Sequence, residues 1–94
     1  MINIYIGTQN RKDITEFTLD NINKYKRDSN LYLYDDNSVD YDIDFLKQFT
    51  DNVVRYNERT GIARIRKNQI KHFIDSNADF CYLTDNDTIH DEFF

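Results

Sequence analysis

The chain has no proline and only two glycines, Gly7 and Gly61, so few residues interrupt regular structure. Each glycine is read as marking a special backbone position, and both fall at strand-to-helix loops. The single cysteine, Cys81, excludes a disulfide framework. Within the apolar run Phe80-Cys81-Tyr82-Leu83 it reads as a buried structural thiol rather than a nucleophile. No apolar run approaches the roughly 20 residues of a membrane span. A first strand starting at Ile2 leaves no room for a signal peptide, so a reducing, cytoplasmic setting is expected. Basic residues are also scarce, 12 against 17 acidic ones, for a net charge of -5. Such a balance suits phosphate neutralisation poorly, and no nucleic-acid partner is expected.

What is present is the composition of a folded chain: 39% hydrophobic, with seven Tyr and seven Phe among 94 residues. That length makes one small domain, spanning 1–94, with a thin stability margin. Ile2-Asn3-Ile4-Tyr5-Ile6 reads as a first strand closed by Gly7. Asp13, with Glu16 three residues on, offers a capping box to a helix reaching about Arg27, with Ile14, Phe17, Ile22 and Tyr25 near one face. Leu31-Tyr32-Leu33-Tyr34 is a second strand, ended by Asp35-Asp36-Asn37-Ser38. A short helix near 43–49, capped by Asp40 or Asp42, precedes a third strand, Asn52 to Tyr56. Gly61 opens a long helix to Ser76 with Ile62, Ile65, Ile70, Phe73 and Ile74 as its buried stripe, and Phe80 to Thr84 is the fourth strand.

Strands separated by helices predict an α/β fold, a Rossmann-like three-layer αβα sandwich with a mostly parallel four-stranded sheet. Near-continuous apolar strands fit a sheet covered on both faces. In such sheets ligands bind outside the carboxyl ends of the strands, where strand order reverses. Those ends carry Thr8-Gln9-Asn10-Arg11, Asp35-Asp36, the Gly61–Arg64 segment and Asp85-Asn86-Asp87. Two carboxylates two residues apart at a strand end suit a divalent cation, because Mg²⁺ or Mn²⁺ takes one or two carboxylates and completes its shell with phosphate and water. Arg64, Arg66 and Lys67 open the long helix, where basic side chains and unpaired N–H groups suit a diphosphate, although such charges also simply solvate a helix face.

Taken together these segments resemble the inverting family 2 glycosyltransferases of the GT-A fold. Ile2 to Arg11 resembles their opening strand and Thr-x-x-Asn-Arg-like loop. Leu33-Tyr34-Asp35-Asp36-Asn37-Ser38 looks like their second strand and its Asp-Asp ending. Gly61 to Arg64 and Lys67 to Ile70 are similar to the start of their third helix, with Lys67 where Arg is usual. Tyr82 to Asp87 resembles their strand and metal-binding D-x-D motif. The four blocks occur in order along the whole chain.

The resemblance implies a nucleoside-diphosphate-sugar-binding half, with the acceptor-binding half absent. It implies that Thr8 and Gln9, with Asn10 and Arg11 of the same loop and Asp35, line the nucleotide pocket. Asp36 would accept a hydrogen bond from the base, favouring uracil and hence a UDP-sugar. Arg64, Arg66 or Lys67 would face the diphosphate. Asp85 would touch the ribose or the metal and its water, and Asp87 would bind Mn²⁺ or Mg²⁺. The implied activity is metal-dependent sugar transfer to an acceptor, with no catalytic base assigned; His90, Asp91 and Glu92 carry no role.

The alternative is a non-catalytic nucleotide- or metal-binding or interaction module derived from such an enzyme. A dehalogenase-type reading of Asp85-Asn86-Asp87-Thr88 fails on position, since that motif belongs after the first strand. A receiver-like domain fails because no Lys follows Lys71. A half-fold leaves a sheet edge and apolar surface open, so self-association or a covering partner is expected.

Overall fold

Seven elements alternate in the computed structural model, which describes residues 1–86. They are β1 (Ile2–Thr8), α1 (Lys12–Tyr25), β2 (Asn30–Asp35), α2 (Ile43–Lys47), β3 (Val53–Arg55), α3 (Ile62–Asp75) and β4 (Phe80–Asp85). All strand pairings are parallel, in the order β3-β2-β1-β4. The chain steps outward from β1 to β3, then crosses back to lay β4 on the other side of β1. Strand order therefore reverses between β1 and β4, which makes the carboxyl ends of these two strands the place for a ligand crevice.

Side chains alternate across β1 and β2, and the two faces differ in chemistry. Ile4, Ile6, Leu31 and Leu33 join Leu19 and Ile22 of α1 and Phe45 and Leu46 of α2 in an aliphatic core. On the opposite face Tyr5 and Tyr34 pack with Ile65 of α3, flanked by Tyr32, Tyr56, Phe73 and Leu83. Tyr5 and Tyr32 stack at 5.2 Å between ring centres. Tyr5 Oη lies 2.7 Å from His72 Nδ1 and accepts from Asn3 Nδ2 at 3.0 Å.

The buried stripe of α3 is Ile65 and Gln69 with Phe73 half-buried, and Gln69 Oε1 accepts from Arg66 Nη1 at 3.3 Å within the same helix. Ile62, Ile70 and Ile74, expected inside, are exposed. Two other side chains of α3 reach tyrosine hydroxyls, His72 at Tyr5 and Asn68, whose Nδ2 donates to Tyr56 Oη at 2.8 Å.

Helix α1 also departs from its expected face. Thr15, Thr18, Leu19 and Ile22 are buried, whereas Ile14 and Phe17 are exposed. The reason is its start: Asn10 and Arg11 both take left-handed backbone conformations, and the helix begins at Lys12 with no side-chain cap. Asp13 lies inside the first turn, where its charge complements the helix dipole, rather than at the cap. Asp40 accepts from Lys12 N at 3.1 Å, so it serves α1, while Asp42 caps α2 through Phe45 N.

β4 is an outer strand paired only with β1 among the described residues, and Phe80 and Cys81 are exposed on it. The expected burial of Cys81 is corrected on that ground. Gly7 is likewise an ordinary residue of β1, and of the two glycines only Gly61 has a positive φ, +91°.

Burial, reinforced by Tyr5, Tyr56 and Tyr32, pushes the Tyr34 hydroxyl from 10.0 up to about 12. The folded chain thus holds this proton more tightly than the unfolded one. The associated stability is complete below pH 10 and is lost as pH rises toward 12. Thermal melts across this range should show a falling midpoint, and the Tyr34→Phe variant should fall less steeply. Parallel pH dependence in the two proteins would contradict the assignment.

Candidate functional site

Asp35 and Asp36 follow one another at the end of β2, and strand alternation sends them to opposite faces. Asp35 is fully enclosed. Its Oδ1 accepts from Thr8 Oγ1 at 2.7 Å, Ser38 Oγ at 2.6 Å and Tyr41 Oη at 3.2 Å, and its Oδ2 accepts from Ser38 N at 2.9 Å. Arg55 Nε stands 3.6 Å from Oδ2. The same guanidinium donates to the carbonyls of Tyr41 and Ser38. Asp35, expected in the nucleotide pocket, is instead the post to which the loops after β1 and β2 are tied. Its lone pairs are consumed by the chain itself.

Asp36 is 4% exposed and organises the other side. Its Oδ1 accepts from Thr60 N at 2.6 Å and Thr60 Oγ1 at 3.2 Å, and its Oδ2 accepts from Gly61 N at 3.0 Å. Arg59 Nε stands 3.9 Å from Oδ2. These bonds fix the turn that launches α3, whose first turn has no side-chain cap. Gly61 adopts φ 91° and ψ 158° there, a conformation open essentially to glycine alone.

At the end of β4, Asp85 Oδ1 accepts from Arg66 Nη2 at 2.7 Å, and Arg66 Nη1 donates to Thr84 O at 3.3 Å. Asn86 is buried and donates through Nδ2 to Thr15 Oγ1 at 2.7 Å and Asn10 O at 3.2 Å. Asn10 in turn accepts from Val39 N at 2.6 Å and donates its N–H to Ser38 Oγ at 2.7 Å. The ends of β1, β2 and β4 are thereby locked into one rim.

A groove of about 340 Å³ opens on this rim at the reversal between β1 and β4. Gly7, Thr8, Gln9, Asp36, Arg59, Gly61, Ile62, Ile65, Asp85 and Asn86 line it. A hollow of about 490 Å³ beside Met1, Ile2 and Tyr25 to Ser29 is larger but lies away from the carboxyl ends of the strands. Of the residues expected at the site, Thr8, Gln9, Asp36 and Asp85 meet at the groove. Asn10 and Arg11 form the adjoining turn. Arg64 and Lys67 are exposed on α3 and are not among the lining residues. Asp87, with Thr88, His90, Asp91 and Glu92, lies outside the described residues. Arg59 and Asn86 were not singled out from sequence. Asn86 is hidden as the middle residue of the D-x-D string, and the signal for Arg59 is its place two residues before Gly61.

No protein-family model matches the chain, and no curated protein matches it in sequence. Its fold is similar to that of the solved mannosyltransferase PcManGT from Pyrobaculum calidifontis, in complex with GDP-Man and Mn²⁺. The TM-score is 0.78 at 21% identity, over 94% of this chain and 28% of that one. The chain thus spans less than a third of the neighbour's length, and the likeness is one of fold: a Rossmann-like α/β sheet, here wholly parallel. No helix among the described residues is long and apolar enough to cross a membrane.

Removing the Asp35 carboxylate strands Arg55 and three hydroxyls at once. Asp35→Ala should cost about 3–5 kcal/mol in urea unfolding, against about 1 kcal/mol for Tyr41→Phe, which deletes one of its hydrogen bonds. Equal losses in the two variants would refute the role of Asp35 as the common anchor.

Proposed function

We propose that the chain is the donor-binding half of a metal-dependent glycosyltransferase, a single domain over 1–94 that holds a nucleoside-diphosphate sugar across the groove. The observation that supports this most directly is a crevice at the strand-order reversal with a carboxylate toward each end, Asp36 and Asp85, and small or polar groups, Gly7 and Thr8, along its floor. The fold likeness to a mannosyltransferase solved with a nucleotide sugar and Mn²⁺ agrees with it.

In this reading Thr8 and Gln9, with Asn10 and Arg11 of the adjoining turn, border the nucleoside, and Asp36 takes a base N–H. A carboxylate offers about four acceptor positions. The chain's own donors take two on Oδ1 and one on Oδ2, leaving one beside Arg59. A single vacancy suits the lone N3–H of uracil better than the adjacent N1–H and N2–H donors of guanine. Cytosine would oppose an acceptor to an acceptor. UDP is therefore the preferred nucleotide.

No cluster of three or more His, Cys, Asp or Glu that could hold a metal occurs among the described residues. Mg²⁺ and Mn²⁺ need no such cluster, since one or two hard carboxylates plus substrate phosphates complete their shells. Asp85 fits: it lines the groove with a half-exposed side chain. Asp87 is the second proposed ligand. A bound cation would neutralise charge on the departing diphosphate. Arg66 orients Asp85, and Arg64 and Lys67 add positive potential from the exposed side of α3.

Inverting transfer also needs a free carboxylate facing the acceptor hydroxyl. Asp36 and Asp85, the carboxylates among the described residues that line the groove, are each paired with an arginine of this chain. That favours, as a second reading, a chain that binds the donor without transferring the sugar. Under either reading the 94-residue chain should bind a UDP-sugar with Mn²⁺ and transfer little of it to added glycoside acceptors. Robust turnover would show that a catalytic base is present, and Asp91 and Glu92 would be the first residues to change.

Calorimetry with UDP should show binding that EDTA abolishes and that Asp87→Asn weakens roughly 10- to 100-fold. Equal affinity with and without metal would remove Asp85 and Asp87 from the metal site. UDP should also outcompete CDP by about 1–3 kcal/mol, a margin that Asp36→Ala should shrink. Equal binding of UDP and CDP to the unaltered chain would overturn the role of Asp36.

A further inference from the structure

Asn86 follows Asp85 at the carboxyl end of β4 and precedes Asp87, so in sequence it stands between the two carboxylates proposed for the metal. The pleat turns it away from Asp85. Asp85 faces α3, where Arg66 Nη2 holds its Oδ1 at 2.7 Å, whereas Asn86 faces α1 and is buried. Both hydrogens of its amide are committed to the chain, one to Thr15 Oγ1 at 2.7 Å and one to Asn10 O at 3.2 Å. Asn10 and Arg11 take left-handed conformations, φ 55° and 59°, which non-glycine residues keep only where their surroundings over-determine them. Thr15 Oγ1 gives the Asn10 carbonyl one bond at 3.0 Å, from within the same segment, and Asn86 gives it another from 76 residues away. One amide therefore ties the strand end that carries Asp85 to the turn that follows Thr8 and Gln9, across the reversal between β1 and β4.

We propose that Asn86 is a positioning residue that sets the spacing between the two ends of the groove. It holds the metal end, at Asp85, at a fixed separation from the nucleoside-bordering turn, Gln9 to Arg11. This rests on the nucleotide-sugar reading above and adds a residue that acts through its neighbours, since its amide donors are spent on Thr15 and Asn10. A nucleoside diphosphate engages both ends at once. Its affinity contains the advantage of joining two contacts in one molecule, and that advantage exists only where the two sites stand at the matching separation. A fragment that engages one end gains nothing from the spacing. Asn86 therefore matters for the joined ligand and little for its parts, a pattern that a residue serving stability alone does not produce.

The test is a set of titrations well below the melting temperature with UDP plus Mn²⁺, uridine alone, and pyrophosphate plus Mn²⁺. The proteins are the unaltered chain, Asn86→Ala, Thr15→Val and the double variant. Thr15→Val keeps the shape of the side chain, removes its hydroxyl and lies outside the residues that line the groove. UDP should weaken roughly 10- to 100-fold in Asn86→Ala, the range for losing a group that orients metal ligands. The loss should be smaller in Thr15→Val, where the bond from Asn86 to Asn10 survives. Uridine and pyrophosphate should change little in either. The double variant should lose less than the product of the single effects, because both changes break one link. Weakening of pyrophosphate equal to that of UDP would confine Asn86 to the metal end and overturn the spacing role, and equal weakening of uridine would do the same from the other end. A variant that melts earlier yet binds UDP as before would make Asn86 a residue of stability alone and overturn the proposal. Should Asn86→Ala fail to fold, Thr15→Val decides by the same criteria. An unaltered chain that does not bind UDP with Mn²⁺ would overturn the nucleotide reading and this proposal together. One that binds it while both variants bind equally well would overturn this proposal alone.

Discussion

Two neighbouring residues of a strand must point to opposite sides of the sheet, and most of the rim follows from applying that constraint to two aspartates. Asp35, turned toward α1 and α2, gathers Thr8, Ser38, Tyr41 and Arg55. Asp36, turned toward α3, gathers Thr60 and Gly61. One carboxylate ties the loops behind the groove, and the other lines the groove itself. A shift of one residue in the pairing of β1 with β2, which sets Thr8 opposite Asp35, would exchange the two roles and abolish both.

The third corner of the rim depends on the return of the chain to the far side of β1. Because β4 pairs with β1 from Ile2↔Phe80 to Gly7↔Asp85, Asp85 comes level with Gly7, and Asn86 reaches the turn formed by Asn10. The groove is thus bounded by segments distant in sequence but adjacent at the reversal. Loops held on this rigid sheet keep the geometry that a ligand needs before it arrives. The opposite edge is a three-residue strand, β3, ending in Arg55, whereas β4 presents the uncharged run Phe80 to Thr84. The two edges are therefore unequally protected against pairing with another chain.

The fold was legible because its signals are local. Apolar runs marked all four strands, and Asp-Asp, Gly61 and Asp85 marked their carboxyl ends. Identity of the inward face was harder to read. The stripe of α1 includes Thr15 and Thr18, which no hydrophobic count selects, and that of α3 includes Gln69, whose side-chain oxygen accepts from Arg66 of the same helix. Cys81 looked interior because its neighbours are apolar, yet burial depends on what lies beyond an outer strand. At the site, residue type located Thr8, Asp36 and Asp85. It could not separate a carboxylate that lines the groove from one enclosed by its own chain, since Asp35 and Asp36 differ only by the pleat. Arg59 carries no mark beyond its place two residues before Gly61, because its position is set by bonds that its two successors make.

The unequal chemistry of the two sheet faces also bears on how this chain tolerates change over generations. Away from the Asp35 network, the α1 and α2 side packs Ile4, Ile6, Leu19, Ile22, Leu31 and Leu33, where volume-conserving aliphatic swaps cost less than about 1.5 kcal/mol. The α3 side is a chain of oriented polar links, from Ser76 through Asn3 and Tyr5 to His72, in which altering one member strands the next. Divergence should therefore accumulate among those aliphatics and stall at the Asp35 network and on the second face. Descendants of this sequence would drift most under α1 and α2 while keeping the seat of α3, the helix that borders the groove, nearly fixed.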